Sequence, residues 1–511
     1  MIEWVQPSLF FYLGAAILPF LKGKARSALL LSIPVMALFA MLSASQGIHG
    51  VVSFAGQELV FGRVDKLSLG FGAVFMVSAF ASLVFALHVK DCREHISALL
   101  YVGSAVGAIF AGDFFSFFLF WEIASFSSVF LIWLRGEKGS NAAGMRYLLV
   151  HITGGLLLFG GIVIHVGSGG GIAFDAMPEM GLGPTLILMG FLINAAVPPL
   201  HAWLADAYPE ATLTGVIFLS VFTTKTAIYA LIRGFPGTPI LIVLGAIMAV
   251  YGVMYAVNEN NCQRVWCYHL ISQNGYMVTG IGIGTALGIN GAVALAFTNI
   301  IYKALLMMGI SSVTHMTGGR KQSELGALYK SMPWTFVLFV IGGFAIAGVP
   351  PLVGFVSKSI VVSAAAEIGQ GWVILMLVFG ACGTWLHPLK LIYMVFLGED
   401  RAKDRKIVVT DPPANMLWGM RILASICIFF GLFPGLLYGM FPHPMDYQPY
   451  TAGHLVKAFQ YMGFTLLVFM LFLKKLTPEN YISLDTDYIY RKGSLVFMWL
   501  VKRLAFLRHV T

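Results

Sequence analysis

The sequence is poor in charged side chains. Only 11% of its 511 residues are Asp, Glu, Lys or Arg, whereas soluble domains carry about 25%. Hydrophobic residues make up 58% of the chain, and the mean hydropathy is +0.84. So few charges cannot cover a soluble fold of this size. The composition therefore predicts an all-α polytopic membrane protein whose core is a helical bundle within the bilayer.

Cysteine is also scarce, and its spacing matches no known kind of site. The cysteines lack the CxxC or CxxCH spacing of metal and haem sites, and no dinucleotide-binding fingerprint accompanies them. We therefore predict no metal site, no cofactor and no redox chemistry in this chain, so that any electron transfer belongs to partner subunits. The cysteines are Cys92, Cys262, Cys267, Cys382 and Cys427.

The net charge of +9 could suggest a nucleic-acid partner. The basic residues lie between apolar segments, however, where they set membrane topology. If the N-terminus is outside, fifteen Lys and Arg residues fall in inner loops and three in outer loops. We therefore expect contact with the lipid bilayer and no nucleic acid, with the N-terminus outside and the C-terminal tail in the cytoplasm.

Apolar runs of about 20 residues predict 14–15 transmembrane helices. A polar, glycine-punctuated stretch at 46–66 predicts a small extramembrane hairpin. In the tail, an apolar run of about eight residues is too short to span, so we expect it to lie on the membrane surface or against a partner. The predicted helices lie near 5–22, 26–45, 67–89, 94–112, 114–135, 142–167, 183–206, 212–233, 238–257, 265–287, 289–314, 334–366, 372–397, 417–440 and 455–475.

The word VPPL occurs twice, at 197–200 and at 349–352, and each copy lies within an apolar segment. Adjacent prolines remove two backbone donors and break a helix. The broken helices are the seventh and the twelfth, five spans apart, so they cross the membrane in opposite directions. This predicts two inverted five-helix repeats with transport sites near their broken helices. The predicted breaks are Pro198, Pro199, Pro350 and Pro351.

The repeats divide the chain into five predicted regions. Three N-terminal helices and the hairpin precede the first repeat, and two C-terminal helices and a cytoplasmic or interfacial tail follow the second. In order, the regions are 1–93, 94–233, 238–397, 417–475 and 477–511.

Ionisable residues within the predicted helices form the candidate site. A charge at bilayer depth is costly and usually faces the bundle interior or a water-filled path. A desolvated lysine releases its proton more readily, and a nearby carboxylate restores its affinity, so a Glu–Lys pair can switch. The predicted proton path comprises Glu122, Lys225, His269, Lys303, Lys358 and Lys390, with His151, His201, His387, Asn194 and Asn299 as auxiliary residues.

The same residue types also allow structural roles. The mid-span charges could form fixed ion pairs that hold helices together, and Lys390, near a helix end, could extend to the membrane surface. The histidines within the helices could be packed core residues. His201, beside the first break, could cap carbonyl groups that the break leaves free.

Several short motifs lie around these residues: FLFWEI, PPLHAWLADAYPEAT, FTTKTAIYALIR, YHLISQNGYM, YKALLMMG, GVPPLVGFVSK and the Gly-Thr…His…Lys stretch of the thirteenth predicted helix. Together they resemble the motifs of the proton-conducting antiporter-like family. That family includes antiporter-like subunits of respiratory complex I, the A-type and D-type subunits of Mrp-type sodium/proton antiporters, and relatives in membrane-bound hydrogenases. The resemblance covers about residues 65–400, and both its fine detail and the tail motif SLDTDYIYRKG are similar to the D-type branch of the Mrp antiporters.

The resemblance implies proton translocation through two half-channels and a central hydrated axis. Glu122 and Lys225 match the acid and the lysine of the first half, Lys303 matches the central lysine, and Lys358 matches the residue that links to one bulk phase. It also implies other membrane subunits as partners, exchange of protons for sodium or drive by a redox partner, and a prokaryotic inner membrane.

Three positions depart from the family pattern. Asn194 stands where relatives commonly carry a lysine, Asn299 stands where many have a histidine, and Gln263 replaces the first residue of a Lys-Arg pair. An amide cannot exchange protons at neutral pH. The first alternative function is therefore a scaffold subunit that does not conduct, and the second is energy coupling for uptake of another substrate, such as inorganic carbon.

Overall fold

A computed structural model describes residues 4–54, 56–177, 179–399 and 409–477, together with residues 485, 486, 488, 491–493, 496 and 499 of the tail. Most of these residues are helical, and the helices are numbered α1 to α19 in chain order. The first ten are α1 (Ser8–Ile17), α2 (Gly23–Leu42), α3 (Lys66–Ala86), α4 (Cys92–Phe110), α5 (Phe114–Trp133), α6 (Lys138–Gly167), α7 (Leu182–Asn194), α8 (Ala202–Ala207), α9 (Gly215–Val221) and α10 (Thr223–Gly234). The others are α11 (Pro239–Asn258), α12 (Cys262–Ile283), α13 (Ala286–Thr317), α14 (Pro333–Ala347), α15 (Val353–Glu367), α16 (Gly371–Leu391), α17 (Ala414–Leu432), α18 (Pro434–Tyr438) and α19 (Ala452–Phe472).

Within the described ranges, ten helical stretches are long and apolar enough to cross a membrane, and three shorter apolar helices accompany them. Each of the fifteen predicted segments coincides with one helix or with helices separated by a break. The all-α polytopic membrane fold is therefore confirmed. The number of segments that cross the bilayer and the inverted relation of the two repeats stay predictions. Most of the predicted tail, including its apolar run, lies outside the described residues.

The hairpin expected at 46–66 is present as two antiparallel strands, β1 (Gly47–Phe54) and β2 (Gln57–Val64). Asp113 fixes it to the helical bundle. The Asp113 carboxylate caps the first turn of α5 and also accepts the backbone N–H of Val60 at 2.7 Å. One side chain thus joins β2 to the start of α5.

Helix α13 is the central element of the bundle. It is buried along its whole apolar length and packs against α3, α9, α12, α14, α15 and α17. Peripheral helices such as α2 and α19 leave most of their apolar surface exposed. Lipid therefore has no access to the polar side chains of α13, among them Asn299 and Lys303, because apolar helices surround them.

The two VPPL words break the helices as predicted. Helix α7 ends before the first word and α8 follows it, whereas α14 and α15 flank the second. Both Pro–Pro peptide bonds are cis. Two positions before the first proline the backbone turns left-handed, at Ala196 (φ 58°) and at Gly348 (φ 83°).

The hydrogen bonds at the two breaks also correspond. Val197 N–H donates to Leu192 O at 3.0 Å, and Val349 N–H donates to Phe344 O at 3.0 Å. Each bond closes a helix C-terminus in the manner of a Schellman motif. The local structure of the two words is thus the same, although their surroundings differ.

The helices that carry two of the candidate lysines are interrupted as well. Helices α9 and α10 meet at Phe222, where the Thr223 N–H donates to the Tyr101 hydroxyl at 2.8 Å. Helix α16 contains Pro388 and continues as a π-helical stretch, Ile392–Leu397. Irregular backbone of this kind is tolerated at membrane depth only where protein or a polar cavity surrounds it.

Candidate functional site

Four lysines lie inside the protein. Lys225 and Lys303 are fully buried, and Lys390 and Lys358 are 3% and 6% exposed. No carboxylate in the described part of the chain lies within 4.0 Å of any of their ammonium groups, and each ammonium instead meets a neutral oxygen. The site is therefore a set of buried cationic positions without neighbouring counterions.

Lys225 is tied to the first break through one amide. Its Nζ donates to Asn274 Oδ1 on α12 at 3.2 Å, and also to the Thr224 hydroxyl at 3.2 Å. Asn274 Nδ2 in turn donates to the carbonyl of Ala195, directly after α7, at 3.0 Å. A change at the break can therefore reach Lys225 through a single side chain.

Lys358 contacts the second break directly. Its Nζ donates to the Ile346 carbonyl in the last turn of α14 at 2.7 Å, and to the Thr384 hydroxyl on α16 at 2.7 Å. The break removes the residues that would otherwise donate to the last carbonyls of α14, so this carbonyl is available to an ammonium group. The negative end of the helix dipole adds to the attraction.

Lys303 and Lys390 also bind backbone carbonyls. Lys303 Nζ donates to Trp266 O at 3.2 Å and lies 4.9 Å from the centre of the Trp266 ring, in cation–π range. Lys390 Nζ donates to Val257 O in the last turn of α11 at 2.6 Å. The expectation that Lys390 extends to the membrane surface is wrong for this conformation, because its ammonium group points into the protein.

Polar side chains lie between the lysines. On α13, Asn299 Nδ2 donates to the Tyr302 hydroxyl at 3.3 Å, which donates to Gln273 Oε1 on α12 at 3.2 Å. The rings of His269 and His387 are 5.6 Å apart and join α12 to α16. All five side chains are buried, so they form a polar layer across the centre of the bundle.

Glu122 does not pair with Lys225 in this conformation. Glu122 is half-buried on α5 and faces α6, where a Cβ added at Gly155 would overlap its Oε1. Lys225 turns instead to Asn274 on α12. The two groups are apart in this structure, and the switching of such a Glu–Lys pair stays a prediction.

A small cavity lies between Glu122's helix and the first break. Its volume is about 20 Å³, which is enough for one water molecule. Ser125, Tyr147, Asn194 and Thr223 are among the residues that line it. The rest of the lining is mostly apolar, so these side chains bring the few polar atoms that the cavity meets between α5 and α10.

The auxiliary histidines of the first half have different neighbours. His151 contacts the rings of Tyr147 and Trp203, with ring centres 4.1 and 4.6 Å away and the rings tilted or edge-on. The Trp203 indole N–H donates to the Ile193 carbonyl at 2.9 Å. The Ile193 and Ala195 carbonyls at the first break thus accept from Trp203 and Asn274. Neither ring nitrogen of His201 makes a hydrogen bond to a carbonyl among the described residues, so the alternative that His201 caps the break is wrong.

His201 instead faces the C-terminal tail. Its Nε2 is 3.1 Å from Asp485 Oδ1, and both side chains are buried. Nothing in the sequence motifs pointed to this contact, because 284 residues separate the two positions in the chain. Asp485 was missed although it falls within the tail motif SLDTDYIYRKG.

Other polar residues at the site were missed because they are neutral. Asn274 and Thr384 carry no charge that would mark them in an apolar segment. Glu94 was missed for another reason, since it opens α4 near a predicted helix end. It is 9% exposed and accepts hydrogen bonds from the hydroxyls of Thr212 and Thr214.

Comparison with known proteins gives this arrangement a family. Residues 111–384 match the family described as NADH:quinone oxidoreductase/Mrp antiporter, transmembrane. This range covers more than half of the chain and includes both breaks and three of the four buried lysines. The chain belongs to this antiporter family. The predicted resemblance is thereby confirmed.

Curated relatives agree with this assignment. The D-type sodium/proton antiporter subunit of Alkalihalophilus pseudofirmus is 31% identical over 344 residues, which cover 63% of this chain and 67% of that protein. An uncharacterised protein of Methanocaldococcus jannaschii is 26% identical over 83% of this chain and 93% of its own length. The chain spans about half, 47%, of the A1-type sodium/proton antiporter subunit from Staphylococcus haemolyticus, at 27% identity over 66% of this chain.

Two solved structures share the fold. The archaeal membrane-bound sulfane sulfur reductase matches with a TM-score of 0.79 at 24% identity, over 97% of this chain and 91% of that chain. The Mrp complex from a Dietzia species matches with a TM-score of 0.73 at 22% identity, over 91% and 94%. This protein is therefore a multi-pass, antiporter-like membrane subunit of the kind found in Mrp and complex I-like assemblies.

Proposed function

We propose that this chain translocates protons across the membrane through its buried lysines. The observation that carries the proposal is that Lys225, Lys303, Lys358 and Lys390 are buried without carboxylate neighbours among the described residues. Burying a charge in this way costs several kcal/mol per ion. Membrane proteins retain such groups mainly where ions or protons pass.

The chemistry of lysine suits this role. A buried ammonium group that contacts only neutral oxygens can lose its proton at moderate cost, because no carboxylate holds the charge in place. The neutral amine can then accept a proton from the next group. The carbonyl of Ile346 and the hydroxyl of Thr384 stabilise the charged form of Lys358 without fixing it.

The proposed route follows the polar groups in space. Protons enter near Glu122, pass the small cavity beside Asn194, and reach Lys225. They then cross the centre through Lys303 and the Asn299–Tyr302–Gln273 chain.

The second half takes the proton onward from the central layer. Its polar groups are Lys358 at the second break, the His269–His387 pair and Lys390. Lys358 connects to one bulk phase when α14 and α15 separate. If the two repeats are inverted, each half contains one break and opens to one side of the membrane.

The relatives suggest which ion and which kind of partner subunit the proton movement is coupled to. The D-type relative from Alkalihalophilus pseudofirmus is named as part of a sodium/proton antiporter, so we propose that proton movement here is coupled to sodium or to another subunit of the same complex. The membrane is the inner membrane of a prokaryote, with the N-terminus outside and the tail in the cytoplasm. Neighbouring membrane subunits complete the complex.

A scaffold role is the second candidate function. It is motivated by Asn194 and Asn299, which stand where the family resemblance implies titratable residues. The cavity at Asn194 weighs against this role, because its volume suits a water molecule that could carry a proton past the amide.

The test is proton transport in membrane vesicles from cells that express the chain with its neighbouring subunits. Glu122→Gln and Lys225→Ala should each abolish pH-gradient activity while the complex still assembles. Lys457→Ala, which changes an exposed lysine on α19, is the matched control and should transport like the unmodified chain. If both path variants keep full transport, the proton path is refuted.

A further inference from the structure

The described part of the C-terminal tail is docked beside the first break. The Asp485 carboxylate accepts hydrogen bonds from the hydroxyls of Tyr251 at 2.6 Å and Tyr268 at 2.7 Å. His201 Nε2 lies 3.1 Å from the same carboxylate. The Asp485 side chain is 6% exposed. Asp485 thus places an acidic group in the interior, against α11, α12 and the residue that follows VPPL.

A second ionic contact holds the same tail. Arg491 Nη2 is 2.5 Å from Asp206 Oδ1. Asp206 lies one turn after the start of α8. Asp206 also binds Arg146 of α6 at 2.6 Å. The tail therefore reaches both ends of α8, the short helix between the first break and α9.

The contacts keep the Asp485 carboxylate ionised. Burial alone raises the pKa of Asp485, but the interactions with His201 and the hydroxyls of Tyr251 and Tyr268 outweigh it and hold the pKa well below its usual range. Because the pKa is depressed, the stabilisation is present above pH ~4 and is lost as the pH falls through the folded-state pKa. The tail thus carries a permanent negative charge to His201 at neutral pH.

A carboxylate beside one ring nitrogen decides what the other nitrogen does. The Asp485 carboxylate approaches the Nε2 side of the ring, so a proton on Nε2 faces the carboxylate and leaves Nδ1 as the proton acceptor. Both ring nitrogens are buried, and neither makes a hydrogen bond of good geometry with the described residues. A proton taken up at Nδ1 places the positive charge of the ring beside the carboxylate. When Nδ1 releases the proton, the neutral tautomer returns.

We propose that Asp485 is a positioning residue that holds His201 in the tautomer able to accept and return a proton at the first break. This inference rests on the proposed proton function. It gives the first half a titratable group where Asn194 cannot act. The titratable groups around the Asp485–His201 pair are the hydroxyls of Tyr251 and Tyr268. A charged cluster lies around α8 and comprises Asp206, Arg146, Arg491 and Arg264. The Arg264 Nε donates to Ala205 O.

The experiment measures the initial rate of pH-gradient formation between pH ~5.5 and ~8.5, around the usual pKa of histidine, in vesicles that contain the whole complex. Asp485→Asn keeps the size of the side chain and an acceptor for one tyrosine, but it removes the charge. We expect a rate at least about fivefold lower at neutral pH and a changed pH profile, because the tail no longer brings a negative charge to His201. Asp485→Glu should restore part of the rate and part of the pH profile, because it restores the negative charge.

A double-mutant cycle separates positioning from simple tail attachment. If Asp485 acts through His201, then His201→Gln should be as slow as Asp485→Asn, and the double variant should be no slower than either. A purely structural role predicts additive losses, an unchanged pH profile and a lower melting temperature, and that result would overturn the proposal. An unchanged rate and profile in Asp485→Asn would overturn it as well.

Lys225→Ala distinguishes this inference from the broader function. If Lys225→Ala abolishes transport while Asp485→Asn is normal, only the positioning role fails. If Lys225→Ala transports normally, the proton function itself fails, whatever the tail variants do.

Discussion

The two breaks share one backbone geometry and differ in the charges around them. At the second break, Lys358 donates directly to a carbonyl of the broken helix. At the first, the nearest lysine, Lys225, reaches the break only through Asn274, and the carbonyls are satisfied by neutral groups. The acid at the first break comes from the tail, as Asp485. The comparison teaches that the same backbone interruption can be joined directly by a lysine, or indirectly by a neutral amide and a carboxylate from the tail.

The largest expected effect is at the second break. Lys358→Met removes the only lysine described there, so we expect proton transport to fall to below about a twentieth of the normal rate, as for other functional charges within membranes. The ammonium's contacts to Ile346 and Thr384 are lost with it. The measurement is pH-gradient formation in vesicles, normalised to the amount of assembled complex. Near-normal transport would show that the second break does not need its charge.

The second-largest loss of transport is expected at Asn274, the side chain that links Lys225 to the first break. Asn274→Leu keeps the volume of the side chain but removes the acceptor for Lys225 and the donor to Ala195 O. An unsatisfied buried polar group costs about 1–3 kcal/mol, so we expect roughly tenfold slower transport and a lower melting temperature. Ser272→Ala, on the same helix, is the control; a fall as large as that of Asn274→Leu would refute the specific link.

A smaller effect is expected when the first break is made to look like the second. Asn194→Lys brings a lysine to the first break, but Asn194 is buried beside a cavity of only about 20 Å³. Overpacking typically costs about 1–3 kcal/mol, so we expect lower stability and a roughly two- to fivefold loss of transport. A gain in transport would instead show that the amide disables the first half, in favour of the scaffold alternative.

The smallest expected effect is on thermal stability, and it tests whether the backbone conformation is equivalent at the two breaks. Ala196 and Gly348 occupy the same left-handed position, which favours glycine by roughly 1 kcal/mol. Ala196→Gly should therefore raise the melting temperature slightly, and Gly348→Ala should lower it. A Cβ at Gly348 meets nothing closer than 3.6 Å, so strain in φ is the only expected cost. Changes of the same sign in both variants would contradict the equivalence.

The sequence predicted much of the fold because membrane helices are marked by local composition. Runs of apolar residues located the helices, and Pro–Pro at 198–199 and 350–351 located the breaks, since both signals act over a few residues. The buried lysines were found for the same reason, because a charge such as Lys303 stands out within an apolar run.

The partners of those charges could not be predicted. Carbonyls such as Ile346 O have no sequence signal, and neutral side chains such as Asn274 and Thr384 resemble ordinary packing residues. The opposite charges of Glu122 and Lys225 suggested a pair of adjustable separation, but the distance between α5 and α10 is set by packing that the sequence does not display. Asp485 lies far along the chain from His201, and only the folded tail brings them together.

The central claim is that protons cross the middle of the protein through Lys303. The most direct test is Lys303→Met, with pH-gradient formation followed in vesicles alongside the unmodified chain and Lys457→Ala. The account predicts that Lys303→Met assembles normally but transports at below about a tenth of the normal rate, because the central titratable group is lost, while the control is unaffected. Transport at the normal rate by assembled Lys303→Met complexes would contradict the account.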